Sequence, residues 1–397
     1  MPFILFKKTA IALYEWSRLL LLPAHWGVVR RDLFPLQSSQ HPDTDHLQAT
    51  IDWLCRAQDV ADHGGVSAGY FCKRGWMHPY PETTGYIIPT FLCYAARQQD
   101  DLYLQRARRM GDWEIDIQLP TGAVRGGRGR IGDRPYPIVF NTGQVLLGWT
   151  ALYRTSREER FLGAAVRASD WLLQVQDDDG KWSSHTYMDV PHAYHTRVAW
   201  PLLEVHALTG EGKYRTAARR HVEWALNQAN PDGWFAHIEL APGEDPPTHT
   251  IAYTLRGLLE ISAHLEELRQ PILEIVLRAS DHLLQALSDA SPTGLPATFD
   301  ATWRPTASGS CLTGNAQLAI LWLELYRQQR DPRFANAAVS LLEGIKATQS
   351  LDARHPGIRG GIAGSTPIWG PYIPFAYPNW AAKFFADALM KKEAILP

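Results

Sequence analysis

The sequence has few cysteines and no bias toward either sign of charge. Its four cysteines, Cys55, Cys72, Cys93 and Cys311, show no Cys-x-x-Cys or Cys-x-x-His spacing, so a thiolate metal site is not expected. Lys and Arg number 39 against 41 Asp and Glu, which gives a net charge of -2 and excludes the broad basic field of a nucleic-acid-binding protein. We expect a reduced, cytoplasmic protein that uses no metal and no cofactor.

The N-terminal segment lacks the features of a signal peptide. An apolar run follows Lys7 and Lys8, but Glu15 and Arg18 interrupt it and no small-residue cleavage site follows. The run is also too charged to span a bilayer. We expect an amphipathic helix in residues 1–23 within a lead-in of residues 1–44, and weak membrane association through this helix stays open.

The sequence does contain a sixfold repeat. Helix starts in which Thr or Asn occupies the expected N-cap, followed by apolar residues at helical spacing, occur at residues 82–85, 141–143, 195–197, 249–251, 313–315 and 378–380. A Trp-to-Gln marker precedes them at residues 53–58, 113–118, 171–176 and 224–228, with weaker copies at 282–285 and 345–349. Each unit predicts a helix, a long loop, a second helix and a short return.

Six such hairpins resemble the (α/α)6 toroid superfamily of carbohydrate-active enzymes. The marker followed by Asp-Gly-Lys-Trp at 179–182, or by Asp-Gly-Trp at 232–234, is similar to repeats in that group. The resemblance implies an all-α toroid, with residues 45–397 as a single catalytic domain after the N-terminal helix. The superfamily includes polysaccharide lyases, uronyl C5-epimerase C-terminal domains, 2-epimerases, glycosidases and terpene cyclases, so the fold alone does not define the reaction.

The residues at the inner helix starts are expected to line a central cavity beneath the long loops. The candidate catalytic residues there are Glu82, Asn141, Tyr194, His195, His249 and Tyr377. Six helix N-termini aimed at one cavity supply partial positive charge, which suits a carboxylate or a developing oxyanion. The two histidines are suited to proton transfer, although helix capping and core hydrogen bonding are alternative roles for them. For Glu82 the alternative role is capping or pairing with an Arg.

The long loops add aromatic and basic side chains that suit an acidic sugar. Sugar rings stack on aromatic faces, and Arg binds carboxylates through two parallel hydrogen bonds. An alternative for the Gly-Arg segment of residues 122–134 is a flexible surface loop. The candidate substrate-binding residues are Arg125, Arg128, Arg130, Trp76, Tyr80, Tyr187, Trp234, Trp303, Trp369, Tyr372 and Asn379.

Two reactions compete for this cavity. Abstraction of the C5 proton of a uronate, as in a lyase or C5-epimerase, needs a base, an acid and groups that stabilise the enolate. The resemblance implies an Asn, His and Tyr set for this task, which requires Asn141, His195 and His249 to converge. Glycoside hydrolysis needs two carboxylates, which would be Glu82 with Asp189 or Asp300. A glycan-binding toroid without catalysis is the third alternative.

Overall fold

The protein is an all-α toroid of six helical hairpins. A computed structural model describes residues 25–34, 41–127, 135–289 and 294–396. Its α-helices are α1 Trp26–Leu33, α2 Asp43–Asp59, α3 Pro81–Gln98, α4 Asp101–Asp116, α5 Val139–Ser156, α6 Glu159–Gln174, α7 Thr196–Thr209, α8 Gly212–Asn227, α9 Thr248–Ile261, α10 Arg269–Ser288, α11 Leu312–Gln329, α12 Pro332–Thr348 and α13 Asn379–Ile395.

The odd-numbered helices from α3 to α13 form the inner ring. Each packs against the next, and α13 returns to pack against α3, which closes the ring. The inner helix α5 is buried on nearly all sides, whereas the outer helix α6 buries one stripe that includes Phe161, Ala165 and Leu172. This difference is expected, because an inner helix has neighbours all round and an outer helix faces solvent on one side. The predicted fold class is confirmed.

Short returns join each inner helix to the next outer helix at one end of the ring. Gln99, Arg157, Gly210 and Arg330 end α3, α5, α7 and α11 in the left-handed conformation that commonly terminates helices. Because these connections are short, the long loops gather at the opposite end, beside the first turns of the inner helices. The repeat therefore builds one face of the ring from loops.

The Gln of the Trp-to-Gln marker ties neighbouring units together. Gln176 Nε2 donates to the carbonyl oxygens of Gly180, in its own loop, at 2.8 Å and of Ala217, on the next outer helix, at 3.0 Å. Gln118 makes the equivalent bonds in the preceding unit. Gly180 has a φ of +92°, and a Cβ there would lie 2.5 Å from the carbonyl oxygen of Arg220. Glycine at this position lets the loop approach the next outer helix.

The N-caps predicted from the sequence are wrong. The helices begin one to three residues earlier. In the first two units they begin at Pro81 and Val139 and no side chain caps them, whereas Cys311 Sγ accepts a hydrogen bond from Gly314 N at the start of α11. The Thr residues lie inside the first turn, where Thr84 accepts a hydrogen bond from Val66 N and Thr142 accepts one from Val124 N, each at 2.9 Å. Their hydroxyls hold the long loop against the inner helix.

Short strands secure the loops. β1 Gly69–Phe71 pairs with β2 Gly75–Trp76 and with β5 Ala376–Pro378, which joins the first and last long loops, while β3 Ser310–Cys311 pairs with β4 Ser365–Thr366. The helix predicted for residues 1–23 lies outside the described residues. No helix within the described ranges combines the length and the apolar character that a membrane crossing requires.

Candidate active site

One cavity of about 420 Å³ opens among the first turns of the inner helices and the long loops. Seven of the predicted site residues line it: Tyr80, Glu82, Asn141, Tyr187, Tyr194, His249 and Tyr372. The remaining lining comes from Tyr86, Gly126, Gly127, Tyr136, Ile138, Phe140, Leu240, Thr250, Tyr253, Ile373 and Trp380. The cavity is therefore mainly aromatic, with a small number of polar groups.

Glu82 is the one carboxyl group among the lining residues that the structure describes. It lies in the first turn of α3, where the partial positive charge of the helix N-terminus favours an anion. Burial raises its pKa to about 7, against the smaller lowering effects of a hydrogen bond with the Tyr80 side chain and of the positive charge on Arg197. A carboxyl group with this pKa can act as a base or as an acid near neutral pH.

His249 faces the cavity from the first turn of α9. Burial, with a smaller effect from the charge on Arg197, lowers its pKa to about 3, so the imidazole is neutral at physiological pH. The amide nitrogen of Gln317 lies 2.6 Å from Nδ1 and donates to it, which places the imidazole proton on Nε2. In this tautomer Nε2 is a hydrogen-bond donor, which suits it to stabilise an oxyanion.

Asn141, in the first turn of α5, presents an acceptor to the cavity. Its Nδ2 donates to the carbonyl oxygen of Arg125 at 3.0 Å, so the amide is oriented by the loop. The amide oxygen is left for a ligand, and an amide oxygen accepts hydrogen bonds from sugar hydroxyls. Stabilising an enolate requires a hydrogen-bond donor. Because the amide nitrogen of Asn141 already donates to Arg125, this side chain does not fit that role.

A second set of lining residues follows the predicted ones by one helical turn. Tyr86 lies four residues after Glu82, and Tyr253 lies four residues after His249, with ring centres of His249 and Tyr253 4.2 Å apart. Residues at this spacing share a helix face. The sequence analysis stopped at the helix starts and missed both tyrosines, although their spacing could have identified them.

Arg197 lies in the wall beneath the aromatic lining. It is buried, its Nη2 donates to Gln144 Oε1 at 2.9 Å, and its guanidinium carbon is 5.3 Å from the ring centre of Tyr253. A buried charge is costly unless other groups compensate it, and here the hydrogen-bond acceptor is a neutral amide. Its positive charge acts on Glu82 and on His249.

His195 does not line the cavity, contrary to the prediction from the sequence. It lies at the end of a short 3-10 helix before α7 and is fully buried, with its ring 5.4 Å from His192 and 6.1 Å from Trp182. Burial, followed by the two neighbouring histidines, holds its pKa well below the usual value. Asn141 and His249 share a cavity that His195 does not reach, because its side chain points into the hairpin core. The convergence of Asn141, His195 and His249 that the expected Asn, His and Tyr scheme requires is therefore not met.

Tyr377 and Asn379 are also buried in the loop-to-helix junction. Tyr377 pairs with Tyr70 between β5 and β1, and burial raises the pKa of its hydroxyl, against the smaller lowering effect of the positive charge on Arg31. Asn379 Nδ2 donates to Ser67 O and to Thr83 Oγ1, each at 2.8 Å, which joins the last and first units of the ring. Both residues close the toroid and neither lines the cavity.

The other predicted substrate-binding residues are distributed elsewhere. Trp234 and Trp303 pack edge to face with ring centres 5.0 Å apart, and Trp369 is half-buried against the core. Trp76 and Arg125 line a separate cavity. Arg128 and Arg130 lie outside the described residues. Most loop tryptophans therefore hold the loops to the outer helices.

The loop carboxylates proposed as partners of Glu82 do not line the cavity. Asp189 accepts a hydrogen bond from the backbone nitrogen of His185 at 3.0 Å, and Asp300 accepts bonds from Thr302 and Arg304 within its own turn. Their carboxylates stabilise loop turns. Across the described residues no group of three or more His, Cys, Asp and Glu side chains is arranged to hold a metal ion.

The fold is shared with solved carbohydrate-processing enzymes. Unsaturated glucuronyl hydrolase from Bacillus sp. GL1, responsible for the degradation of glycosaminoglycan, has a TM-score of 0.67 and 15% identity over 89% of this chain and 98% of its own. The glucuronyl hydrolase of Streptococcus agalactiae, complexed with dGlcA-GalNAc6S, gives 0.64 and 15% over 91% and 94%. Cellobiose 2-epimerase from Spirochaeta thermophila gives 0.66 and 15% over 88% and 95%.

Sequence comparison adds little to this relationship. No protein-family model matches the chain. The voltage-gated potassium channel regulatory subunit KCNG2 of Rattus norvegicus is 43% identical over 76 residues, which are 18% of this chain and 15% of that protein. The chain thus spans a small part of that relative. The structural likeness, at 15% identity, establishes a common toroid fold and leaves the reaction to be argued from the cavity.

Proposed function

We propose that this protein is a carbohydrate-active enzyme in which Glu82 transfers a proton to or from a sugar bound in the aromatic cavity. The observation that carries the proposal is a single carboxyl group of pKa about 7 at a helix N-terminus in that cavity. Aromatic walls with a small number of polar groups are typical of carbohydrate and other small-ligand sites.

The leading reaction is abstraction of the C5 proton of a uronate. Ionised Glu82 takes the proton, and the electron pair moves into the substrate carboxylate to form an enediolate. His249 Nε2–H donates a hydrogen bond to this oxyanion, and the charge of Arg197 stabilises it from beneath Tyr253. Elimination then breaks the C4–O4 bond, with a tyrosine hydroxyl protonating the leaving oxygen, whereas epimerisation returns a proton to the opposite face of C5.

Tyr194 is the candidate acid in this scheme. It lines the cavity, and its ring stacks on His192 with centres 4.5 Å apart, which fixes its position. Burial raises its pKa well above the usual value, so the hydroxyl keeps its proton at neutral pH. With Glu82 as the base, the scheme does not need His195, which differs from the expected Asn, His and Tyr set.

Three features favour an anionic sugar. The inner helices α3, α5, α9 and α13 line the cavity with residues of their first turns, so the partial positive charge of these N-termini lies beside it, and the buried guanidinium of Arg197 adds positive charge beneath its wall. Gly127 and Tyr136, which flank the segment that carries Arg128 and Arg130, line the cavity. Structurally similar enzymes include glucuronyl hydrolases, one of them solved with a dGlcA-containing disaccharide.

Glycoside hydrolysis is the second candidate, favoured by the glucuronyl hydrolases among the structural neighbours. A protonated Glu82 could serve as the general acid. The usual scheme requires a second carboxylate near the scissile bond, and Asp189 and Asp300 are engaged in turns instead. We therefore place hydrolysis after proton abstraction.

Proton NMR of acidic oligosaccharides incubated with the protein in heavy water separates these functions. A new alkene proton identifies elimination, deuterium at C5 without cleavage identifies epimerisation, and new reducing ends alone identify hydrolysis. We expect the first or second result with at least one uronate-containing substrate. Saturable binding without any reaction across the panel would contradict catalysis and support the glycan-binding alternative.

A further inference from the structure

A second cavity, of about 520 Å³, lies beside the candidate active site on the loop face. It is formed by the end of α2, the β2 strand, the start of α3 and the loop after α4. Its lining includes Asp62, His63, Trp76, Trp113 and Arg125. Like the first cavity, it combines aromatic surface with polar side chains.

The two cavities share a wall. Residues 79–82 alternate between them, with Pro79 and Pro81 facing the second cavity and Tyr80 and Glu82 facing the first. Tyr80 is extended, with φ of -124° and ψ of 117°, and successive side chains of an extended segment point to opposite sides. The backbone of residues 79–82 therefore separates a ligand bound beside Glu82 from the second cavity.

A second dividing segment has the same arrangement. Arg125 lines the second cavity, while Gly126 and Gly127 line the first. The carbonyl oxygen of Arg125 accepts the hydrogen bond from Asn141 that orients the amide in the first cavity. The side chain and the backbone of one residue thus serve neighbouring cavities.

The second cavity has the chemistry of a site for an acidic sugar. Trp76 is half-buried, and its ring is positioned by Trp53 and Tyr70, with centres 5.1 and 5.6 Å away. Arg125 Nε is buried and has no hydrogen-bond acceptor among the residues that the structure describes. A fixed aromatic ring can stack on a sugar, and an unsatisfied guanidinium nitrogen can donate to its carboxylate.

We propose that the second cavity binds a further unit of the same acidic oligosaccharide whose reacting unit lies beside Glu82. This inference rests on the proposed function and deepens it, because it assigns the enzyme to extended chains instead of disaccharides. Trp76 stacks on the distant sugar, and Arg125 binds its carboxylate. Trp76 and Arg125, which the sequence predicted to bind substrate, would thus do so in the second cavity.

Calorimetric titration with oligosaccharides of two and six sugars tests this inference. The probes are oligogalacturonates and hyaluronan oligosaccharides, with Glu82→Gln protein used to prevent turnover. We expect the six-sugar probe of at least one series to bind at least tenfold more tightly than the two-sugar probe. Arg125→Gln and Trp76→Ala should each reduce that gain at least fivefold, whereas the exposed-site control Arg219→Gln should retain it.

Several outcomes would overturn the inference. Equal affinity for both lengths would do so, as would a loss of affinity in Arg125→Gln that is the same for both lengths. Thermal unfolding identifies a Trp76→Ala variant that has lost its fold, in which case Arg125→Gln decides the question. If the NMR panel shows no reaction but the length gain depends on Arg125, the proposed catalysis fails and the second binding site stands.

Discussion

The amide nitrogen of Gln317 on α11 lies 2.6 Å from Nδ1 of His249 on α9. This contact crosses between two inner helices and determines which imidazole nitrogen carries the proton. Because burial keeps His249 neutral, the tautomer decides whether the cavity meets a donor or an acceptor. The sequence contains both residues, but their contact depends on the packing of the ring.

Gln317→Glu should reverse the role of His249. A carboxylate at this position accepts a hydrogen bond from Nδ1–H, so the neutral imidazole carries its proton on Nδ1 and Nε2 becomes an acceptor that cannot stabilise an oxyanion. We expect kcat to fall by roughly 100-fold, the usual cost of one lost oxyanion donor, with a smaller change in KM. His249→Ala should cost a similar factor. Unchanged kcat in both variants would exclude His249 from the reaction.

The pH dependence of kcat/KM should follow the ionisation of Glu82. As a base, Glu82 must be ionised, so activity should rise with pH through a midpoint near 7. Arg197→Gln removes a charge that favours the ionised form and should move the midpoint upward. His249 should add no second midpoint between pH 5 and 9, because its pKa is about 3. A fall in activity through pH 7 would instead indicate that Glu82 acts as an acid.

Acid should destabilise the fold through its buried histidines. Burial lowers the pKa of His221 to about 3, so the unfolded chain, with a histidine pKa of about 6.5, binds the proton more tightly. His221 therefore contributes stability above pH 6.5 that is lost as the pH falls toward 3. Chemical denaturation of His221→Gln should show a free energy of unfolding that falls less steeply over this pH range. The difference in slope should correspond to the binding of about one proton on unfolding.

The marker glutamines should contribute to stability according to their contacts. Gln176→Leu leaves the carbonyl oxygens of Gly180 and Ala217 without their donor, which should cost about 1–3 kcal/mol in the free energy of unfolding. Gln285 belongs to a weaker copy of the marker, three residues after its first residue instead of five, and it is exposed and bonds to Ser288 and Asp289 nearby. Gln285→Leu is the matched control and should cost little. Equal losses would show that the link between units is unimportant.

The sequence predicted the fold well because the repeat is local. Each unit carries its own helix periodicity and its marker, four of the inner helices end at a left-handed residue, and Gln176 lies only four residues before Gly180. Six copies then leave few ways to bury all the inner helices. The N-caps were predicted wrongly because the Thr and Asn side chains bond to the preceding loops, as Thr142 does with Val124.

The site was harder to predict because its residues come from different units. Position at a helix start identified Glu82 and His249, which line the cavity, but gave the same weight to His195 and Tyr377, which are buried in loop junctions. Side chains at equivalent positions of the repeat point in different directions, because their direction depends on how the long loops pack. The contribution of Arg197 was missed because it acts from beneath the lining.

The account depends most directly on Glu82 as the proton-transfer group. The decisive measurement is the rate at which the reactive oligosaccharide loses its C5 proton in heavy water, followed as the alkene proton in an elimination or as deuterium at C5 in an epimerisation, and compared between the natural protein and Glu82→Gln. We predict that Glu82→Gln lowers this rate by at least about 100-fold, in the range typical of general acid–base catalysis. Its calorimetric affinity for the oligosaccharide should be retained. Loss of the C5 proton at an unchanged rate in Glu82→Gln would contradict the account.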